Sequence, residues 1–160
     1  MSIVIGRKAP DFKAPNQDGN IISLKDFKDS WIVLYFYPKD DTEGCTKEAC
    51  SFRDNMEDLT SIGAVVIGVS PDGVKSHGKF IKKYDLNFNL VSDENKKIVE
   101  KYGVWAEKSM YGRKYMGVLR TTFIINPKGK LVKIYDKVKV EGHTEAIIED
   151  IKALKKKSRS

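Results

Sequence analysis

Two uninterrupted apolar runs organise the chain. Trp31-Ile32-Val33-Leu34-Tyr35-Phe36-Tyr37 and Ala64-Val65-Val66-Ile67-Gly68-Val69 show no polar alternation, the pattern of strands buried on both faces. Between them Ala49, Phe52, Met56 and Leu59 recur at spacings of three and four. That spacing predicts one amphipathic helix over residues 42–62, closed by Gly63. Ser70-Pro71-Asp72 opens a second helix to residue 84, a short extended piece ends at Val91, and Ser92-Asp93-Glu94 begins a third helix to residue 102. Residues 105–119 follow neither period and read as a long irregular loop. Arg120-Thr121-Thr122-Phe123-Ile124-Ile125 is a strand that Asn126-Pro127-Lys128-Gly129 turns back into Lys130-Leu131-Val132-Lys133-Ile134-Tyr135. Ile147, Ile148, Ile151 and Leu154 mark a last helix over residues 144–155. Upstream, Asn16-Gln17-Asp18-Gly19-Asn20 lies between short extended runs and predicts an N-terminal β-hairpin.

Strand-helix-strand units followed by a hairpin and a helix predict an α/β protein with a mixed central sheet and helices on both faces. This is the element order of a three-layer thioredoxin-like fold. At 160 residues the chain is expected to form one domain, residues 1–160, burying roughly 70% of its unfolded surface without a disulfide or metal staple. Residues 1–15 show no signal-peptide pattern, and no stretch approaches the ~20 apolar residues of a membrane span. A cytoplasmic location is therefore expected, where a cysteine pair is more often catalytic than structural. Net charge is +7, much of it in Lys155-Lys156-Lys157-Ser158-Arg159-Ser160. Residues 155–160 read as a flexible basic tail. No basic and aromatic stripe suggests nucleic acid as a partner.

The two cysteines, Cys45 and Cys50, follow the first apolar run and fall at the start of the first helix. Thr42 is placed to cap that helix through its hydroxyl, which sets Cys45 near the unpaired N–H groups and the positive end of the helix dipole. Both favour a thiolate. Asp40, Asp41 and Glu43 oppose it, so a cation from elsewhere is required, with Lys39 and Arg120 as candidates. In an intact helix, residues five apart are separated by ~7.5 Å along the axis and ~140° around it, roughly 8.6 Å between Cα atoms. A disulfide needs about 4.4–6.8 Å. The two thiols can bond only if the first turns of the helix unwind. A thiolate that attacks a peroxide becomes a sulfenic acid, which condenses with a nearby thiol. Thr42 and Arg120 have the chemistry to stabilise that attack, and Pro38 can shield the sulfur.

Pro38-x3-Thr42-x2-Cys45 resembles the peroxiredoxin active-site motif. Cys50 stands where the peroxiredoxin Q, or bacterioferritin comigratory protein, class keeps a resolving cysteine. Ala9-Pro10-Asp11-Phe12, Phe36-Tyr37-Pro38-Lys39-Asp40-Asp41-Thr42, Gly68-Val69-Ser70, Tyr111-Gly112-Arg113-Lys114-Tyr115-Met116-Gly117 and Arg120-Thr121-Thr122-Phe123-Ile124-Ile125 extend the resemblance over nearly the whole chain. It implies a peroxidatic Cys45, a resolving Cys50, peroxide-positioning roles for Thr42 and Arg120, and a shielding role for Pro38. It further implies peroxides as substrates, thioredoxin or a similar dithiol as reductant, no cofactor or metal, and a monomer with at most weak dimerisation. Glu43 departs from the class, which commonly has proline there.

Other readings are weaker. Two inert buried thiols fit poorly, since the spacing puts them on different helix faces. His77 and His143 are scattered and make no metal set with the cysteines; they read as a polar helix residue and a residue near the start of the last helix. Asp40 and Asp41 read as a solvated loop. Trp105, Tyr111, Tyr115 and Met116 either line an apolar approach to the thiol or pack on the surface. A disulfide reductase would typically carry Cys-x2-Cys, which is lacking. A redox-controlled binding module, exposing apolar surface on unwinding, is the non-enzymatic alternative.

Overall fold

A computed structural model describes residues 3–158. The first apolar run forms β3 (Trp31–Phe36), the centre of a five-stranded sheet. β4 (Ala64–Ser70) lies parallel on one side of it, followed by parallel β5 (Asn89–Ser92). β8 (Thr121–Ile125) is antiparallel on the other side, followed by antiparallel β9 (Leu131–Tyr135). Strand period divides β3 between two cores. Trp31, Val33 and Tyr35, with Tyr37 just beyond, face one core; Ile32, Leu34 and Phe36 face the other. The first core is covered by α1 (Glu43–Asp54), α2 (Met56–Ser61), α3 (Val74–Tyr84) and α5 (His143–Ser158), through Ala49, Phe52, Leu59, Phe80 and Ile147. The second holds α4 (Lys97–Lys101) and the hairpin of β1 (Lys13–Pro15) and β2 (Ile21–Ser23). The mixed sheet, helices on both faces and N-terminal hairpin are thus as the pattern predicts. Gly68 is required in β4: a Cβ there would come within 2.8 Å of the Tyr35 ring and of Leu90, both buried.

Four elements differ from the sequence-based expectation. Residues 105–119 are a hairpin, β6 (Trp105–Met110) and β7 (Arg113–Val118), with Trp105 opposite Val118 and Met110 opposite Arg113. Most of it is solvent-exposed on both faces, so no apolar alternation announces it. Tyr111 and Gly112 turn it with φ of 52° and 78°, both positive as a two-residue type I′ turn requires. The helix expected over residues 42–62 is divided at Asn55, whose side-chain amide donates to the Ser51 carbonyl at 2.8 Å. Asparagine competes with the backbone ladder in this way. α4 starts later than expected, because the Asp93 carboxylate stands before it and accepts from the N–H groups of Ile98 and Val99. The basic run is helical through Lys155, Lys156 and Lys157, and Lys155 donates to the Ile62 carbonyl at 2.8 Å. Arg159 and Ser160, the end of the expected tail, lie outside the described residues.

The loop between β3 and α1 is the part of the fold that positions the cysteines, and buried polar contacts fix it. Asp40 is 7% exposed and accepts from Tyr37 Oη at 2.6 Å and Ser76 Oγ at 2.8 Å. Its Oδ2 lies 2.7 Å from His77 Nδ1, and His77 Nε2 is 3.0 Å from the Val91 carbonyl oxygen. The Asp40 N–H donates to Asp72 Oδ2 at 2.7 Å. The solvated-loop reading of Asp40 does not survive, whereas His77 is a helix residue as expected, in α3; both are buried, and together they tie the loop to α3 and β5. Asp41 does lie at the surface, with φ of 58°, and pairs with Lys83 and Tyr84. Removing one partner of a buried ionisable pair costs about 3–5 kcal/mol, whereas surface pairs contribute little. Asp40→Ala is therefore expected to lower the stability of the fold by about 3–5 kcal/mol in urea unfolding. Asp41→Ala should leave the midpoint nearly unchanged.

Candidate active site

β3 ends at Phe36, and Tyr37 and Pro38 carry the chain past the sheet edge into the clamped loop. Thr42 is the N-cap residue of α1, with extended φ and ψ of −92° and 160°, and its carbonyl accepts from the Thr46 N–H at 2.8 Å. The expected capping bond through its side chain does not form. The Thr42 hydroxyl instead donates to the Lys39 carbonyl at 3.0 Å, which leaves the oxygen lone pairs available to a ligand. Cys45 follows in the first turn of α1 and is 1% exposed. Pro38 is half-buried, and Cys50 is half-buried one and a half turns further along the same unbroken helix. Both thiols are free.

The cation that the sequence left open is Arg120, just before β8. Its Nη2 donates to Cys45 Sγ at 3.3 Å and its Nη1 to Glu48 Oε1 at 2.7 Å. Lys39, the other candidate, is exposed. The guanidinium can come this close because residue 44 is glycine: a Cβ there would stand 3.2 Å from Nη2. Burial opposes the charge on Arg120, but Glu48 and Cys45 more than offset it and hold it firmly protonated. Glu48 is buried at 1% exposure, and burial, outweighing the attraction of Arg120, pushes its carboxyl up to about 7. His143 begins α5 as expected, but it is buried, with Nε2 2.9 Å from Thr122 Oγ1. Burial first, then the charge of Arg120, lowers it to about 4, so it is neutral at neutral pH.

A buried sulfur at a helix start, with a guanidinium on it and a loop hydroxyl nearby in sequence, is suited to hold a thiolate. The second thiol cannot reach it while α1 is intact. Among the described residues no group of three or more His, Cys, Asp and Glu side chains is arranged to hold a metal ion, and no helix is long and apolar enough to cross a membrane.

The AhpC/TSA family model matches residues 5–134. The chain belongs to this family. It is 46% identical over 157 residues to the peroxiredoxin Bcp of Bacillus subtilis, covering 98% of this chain and 100% of that one. The crystal structure of a cysteine-to-serine mutant of Xylella fastidiosa PrxQ superposes with a TM-score of 0.90 at 35% identity, over 96% of this chain and 98% of that one. A Xanthomonas campestris bacterioferritin comigratory protein, whose trapped intermediate and ligand complexes bear on alkyl peroxide reduction, superposes with a TM-score of 0.84 at 38% identity, over 89% and 90% of the two chains. The chain is thus a peroxiredoxin of the Bcp or PrxQ group, a thiol peroxidase on a thioredoxin-like fold.

Of the residues singled out in the sequence, the structure brings Cys45 and Arg120 into contact, across 75 positions of chain. Thr42 and Pro38 lie on the loop that leads to the sulfur, without a hydrogen bond between the Thr42 hydroxyl and Sγ. Glu48 was missed, although its place one turn after Cys45 in a peroxiredoxin helix offered a signal: a glutamate on the apolar side of an amphipathic helix asks for a buried cation. The Asp40 and His77 pair gave no signal by spacing.

Burial of Glu48 makes a pH-dependent difference to stability. The folded carboxyl, at about 7, binds its proton more tightly than the ordinary carboxyl value of 4.5. Between these values the folded state holds more protons than the unfolded state, so stability falls as pH rises through the window. At about 1.4 kcal/mol per pH unit the fall is about 3 kcal/mol. Glu48→Gln, which cannot ionise, is expected to gain on wild type by about 3 kcal/mol in urea unfolding as pH is raised from 4.5 to above 7.

Proposed function

We propose that the chain reduces hydrogen peroxide and organic hydroperoxides through Cys45, with Cys50 as resolving thiol and thioredoxin or a similar dithiol as reductant. The observation that carries this reading is the 3.3 Å contact of Arg120 Nη2 with a buried Cys45 Sγ in the first turn of α1. In the proposed cycle, the Cys45 thiolate attacks the terminal peroxide oxygen, the S–O bond forms as the O–O bond breaks, and the departing hydroxide or alkoxide takes up one proton to leave as water or an alcohol. Arg120 and the helix start stabilise the negative charge spread over sulfur and both oxygens. The Thr42 hydroxyl, its proton committed to Lys39, accepts a hydrogen bond from the peroxide. Pro38 contributes bulk without an N–H and limits water at the sulfur. α1 then unwinds at its start, Cys50 condenses with the Cys45 sulfenic acid to give a disulfide and water, and the dithiol partner restores both thiols. The alkyl peroxide work on the Xanthomonas relative supports organic hydroperoxides as substrates. We further propose a cytoplasmic location and a monomer with at most weak dimerisation.

Glu43 bears on the unwinding step. It is 86% exposed in its side chain and pairs with Lys47 at 3.3 Å, one turn along α1. A proline at this first helical position, common in the class, would pre-set the helical φ. Glutamate leaves that freedom, and the first turn should open more readily.

Cys45→Ser is expected to abolish peroxide consumption with reduced thioredoxin; retained turnover would sink the mechanism. Cys50→Ser should form one sulfenic acid per chain and lose thioredoxin-supported turnover, which a small thiol restores. Intact mass after one equivalent of peroxide should drop by two hydrogens in wild type, on the peptide holding both cysteines. Glu43→Pro should slow amide exchange in the first turn of α1, and equal protection in the two chains would refute the role given to Glu43.

A further inference from the structure

Two acids meet one cation at the start of α1. Arg120 Nη1 holds Glu48 Oε1, and Nη2 holds Cys45 Sγ. The second oxygen of Glu48, Oε2, is buried and has no hydrogen-bond partner among the described residues. An ionised carboxylate is costly to bury with one oxygen bare. Charged and titratable groups around the pair come from three further elements. Tyr35 faces it from β3, Arg120 from the segment before β8, and His143 from the start of α5, beyond Thr122. Burial, with Glu48 and Cys45 adding to it, keeps Tyr35 protonated, and His143 is neutral. Within this group Arg120 is the cation, and it can neutralise one anion but not two.

We propose that Cys45 and Glu48 share one proton across Arg120, so that sulfur and carboxylate are anionic in alternation and not together. The inference rests on Cys45 being the residue that meets peroxide. Before reaction the sulfur is a thiolate and Glu48 holds the proton. As the thiolate attacks, sulfur gives two electrons to the peroxide, the S–O bond forms, the O–O bond breaks, and the departing alkoxide takes up one proton. The sulfenic acid is neutral, so Arg120 is left without an anion, and Glu48 releases its proton to fill that place. Thiolate, carboxylic acid and ROOH become sulfenic acid, carboxylate and ROH, with atoms and charge balanced. Burial places the Glu48 carboxyl at about 7, in the range where it can exchange a proton with a thiol. Glu48 acts through Arg120 and is a positioning residue.

The test is single-turnover oxidation at slightly acid pH, below the Glu48 value of about 7, in weak buffer with a pH indicator, in a Cys50→Ser background where α1 need not unwind. Glu48→Gln keeps a side-chain oxygen for Arg120. In that variant each oxidised Cys45 is expected to draw about one proton from solvent, and with Glu48 present less than half of that. The pH profile of its peroxide rate should also move toward acid. Equal proton uptake in the two chains overturns the proposal. A second measurement needs no peroxide: infrared titration of the Glu48 carboxyl in Cys45→Ser. Coupling is reciprocal, so removing the thiol should let Glu48 ionise at lower pH than in wild type. Identical titration curves overturn the coupling whatever the peroxide result. Sulfenic acid at Cys45 in neither chain overturns the peroxidatic assignment, a failure seen separately from the proton count.

Discussion

Arg120 holds the site together because it joins the edge of β8 to both Cys45 and Glu48 in α1. Its two N–H arms hold a sulfur and a carboxylate three residues apart, so it fixes the rotation of the helix start as well as supplying charge. The glycine at residue 44 follows from this approach. So does the burial of Glu48, whose Oε1 accepts from this guanidinium. A lysine could supply the charge, but its donors sit on one nitrogen and lack the planar fork that spreads the contacts over Nη1 and Nη2. The cost of burying these polar groups is offset by the core on which α1 lies, where Ala49 and Phe52 are fully buried.

The helix that carries both cysteines is fastened unevenly. Its second half is pinned by Phe52 in the core, by Ser51 to Thr144 of α5 at 2.7 Å, and by Arg53 to the Tyr84 carbonyl at 2.6 Å. Its first turn has no side-chain cap and exposes Glu43, and it is held through Arg120 and the burial of Cys45. Local opening follows the weakest contacts. The proposed unwinding therefore has a defined place, residues 43–50, and a defined stop. Loss of negative charge from sulfur on oxidation removes one of the contacts that hold that turn closed. In the proposed cycle the chemical step and the opening are linked through the same guanidinium.

Strands were legible where burial imposes a pattern. β3 and β4 read directly as apolar runs, and Pro38, Thr42 and Cys45 stood out because their chemistry and spacing form a motif, whereas spacing left Arg120 one of two candidate cations and only the family resemblance favoured it. β6 and β7 did not, since a hairpin wet on both faces needs no apolar alternation, and its Tyr-Gly turn lacks the usual asparagine or aspartate. Asp40 and His77 lie 37 residues apart and meet only because β3, β4 and α3 fold against one another. Periodicity locates faces; it does not say which polar residue on a face finds a partner. Asn55 shows the same limit on a local scale, for its side chain ends a ladder that the apolar spacing would have continued.

The loop and the helix start thus divide the work. Loop residues are held by Asp40, whose carboxylate takes bonds from Tyr37, Ser76 and His77, and none of these involves α1. The helix start is held by Arg120, through bonds to Cys45 and Glu48 and not to the loop side chains. Opening of α1 can therefore leave Pro38 and Asp40 in place, so that the helix refolds onto a loop that has not moved. A site built on one continuous network would lose the loop each time the helix opened. Two separate buried tethers, Asp40 on the loop and Arg120 on the helix start, suit the proposed cycle, in which the loop stays fixed while the helix opens.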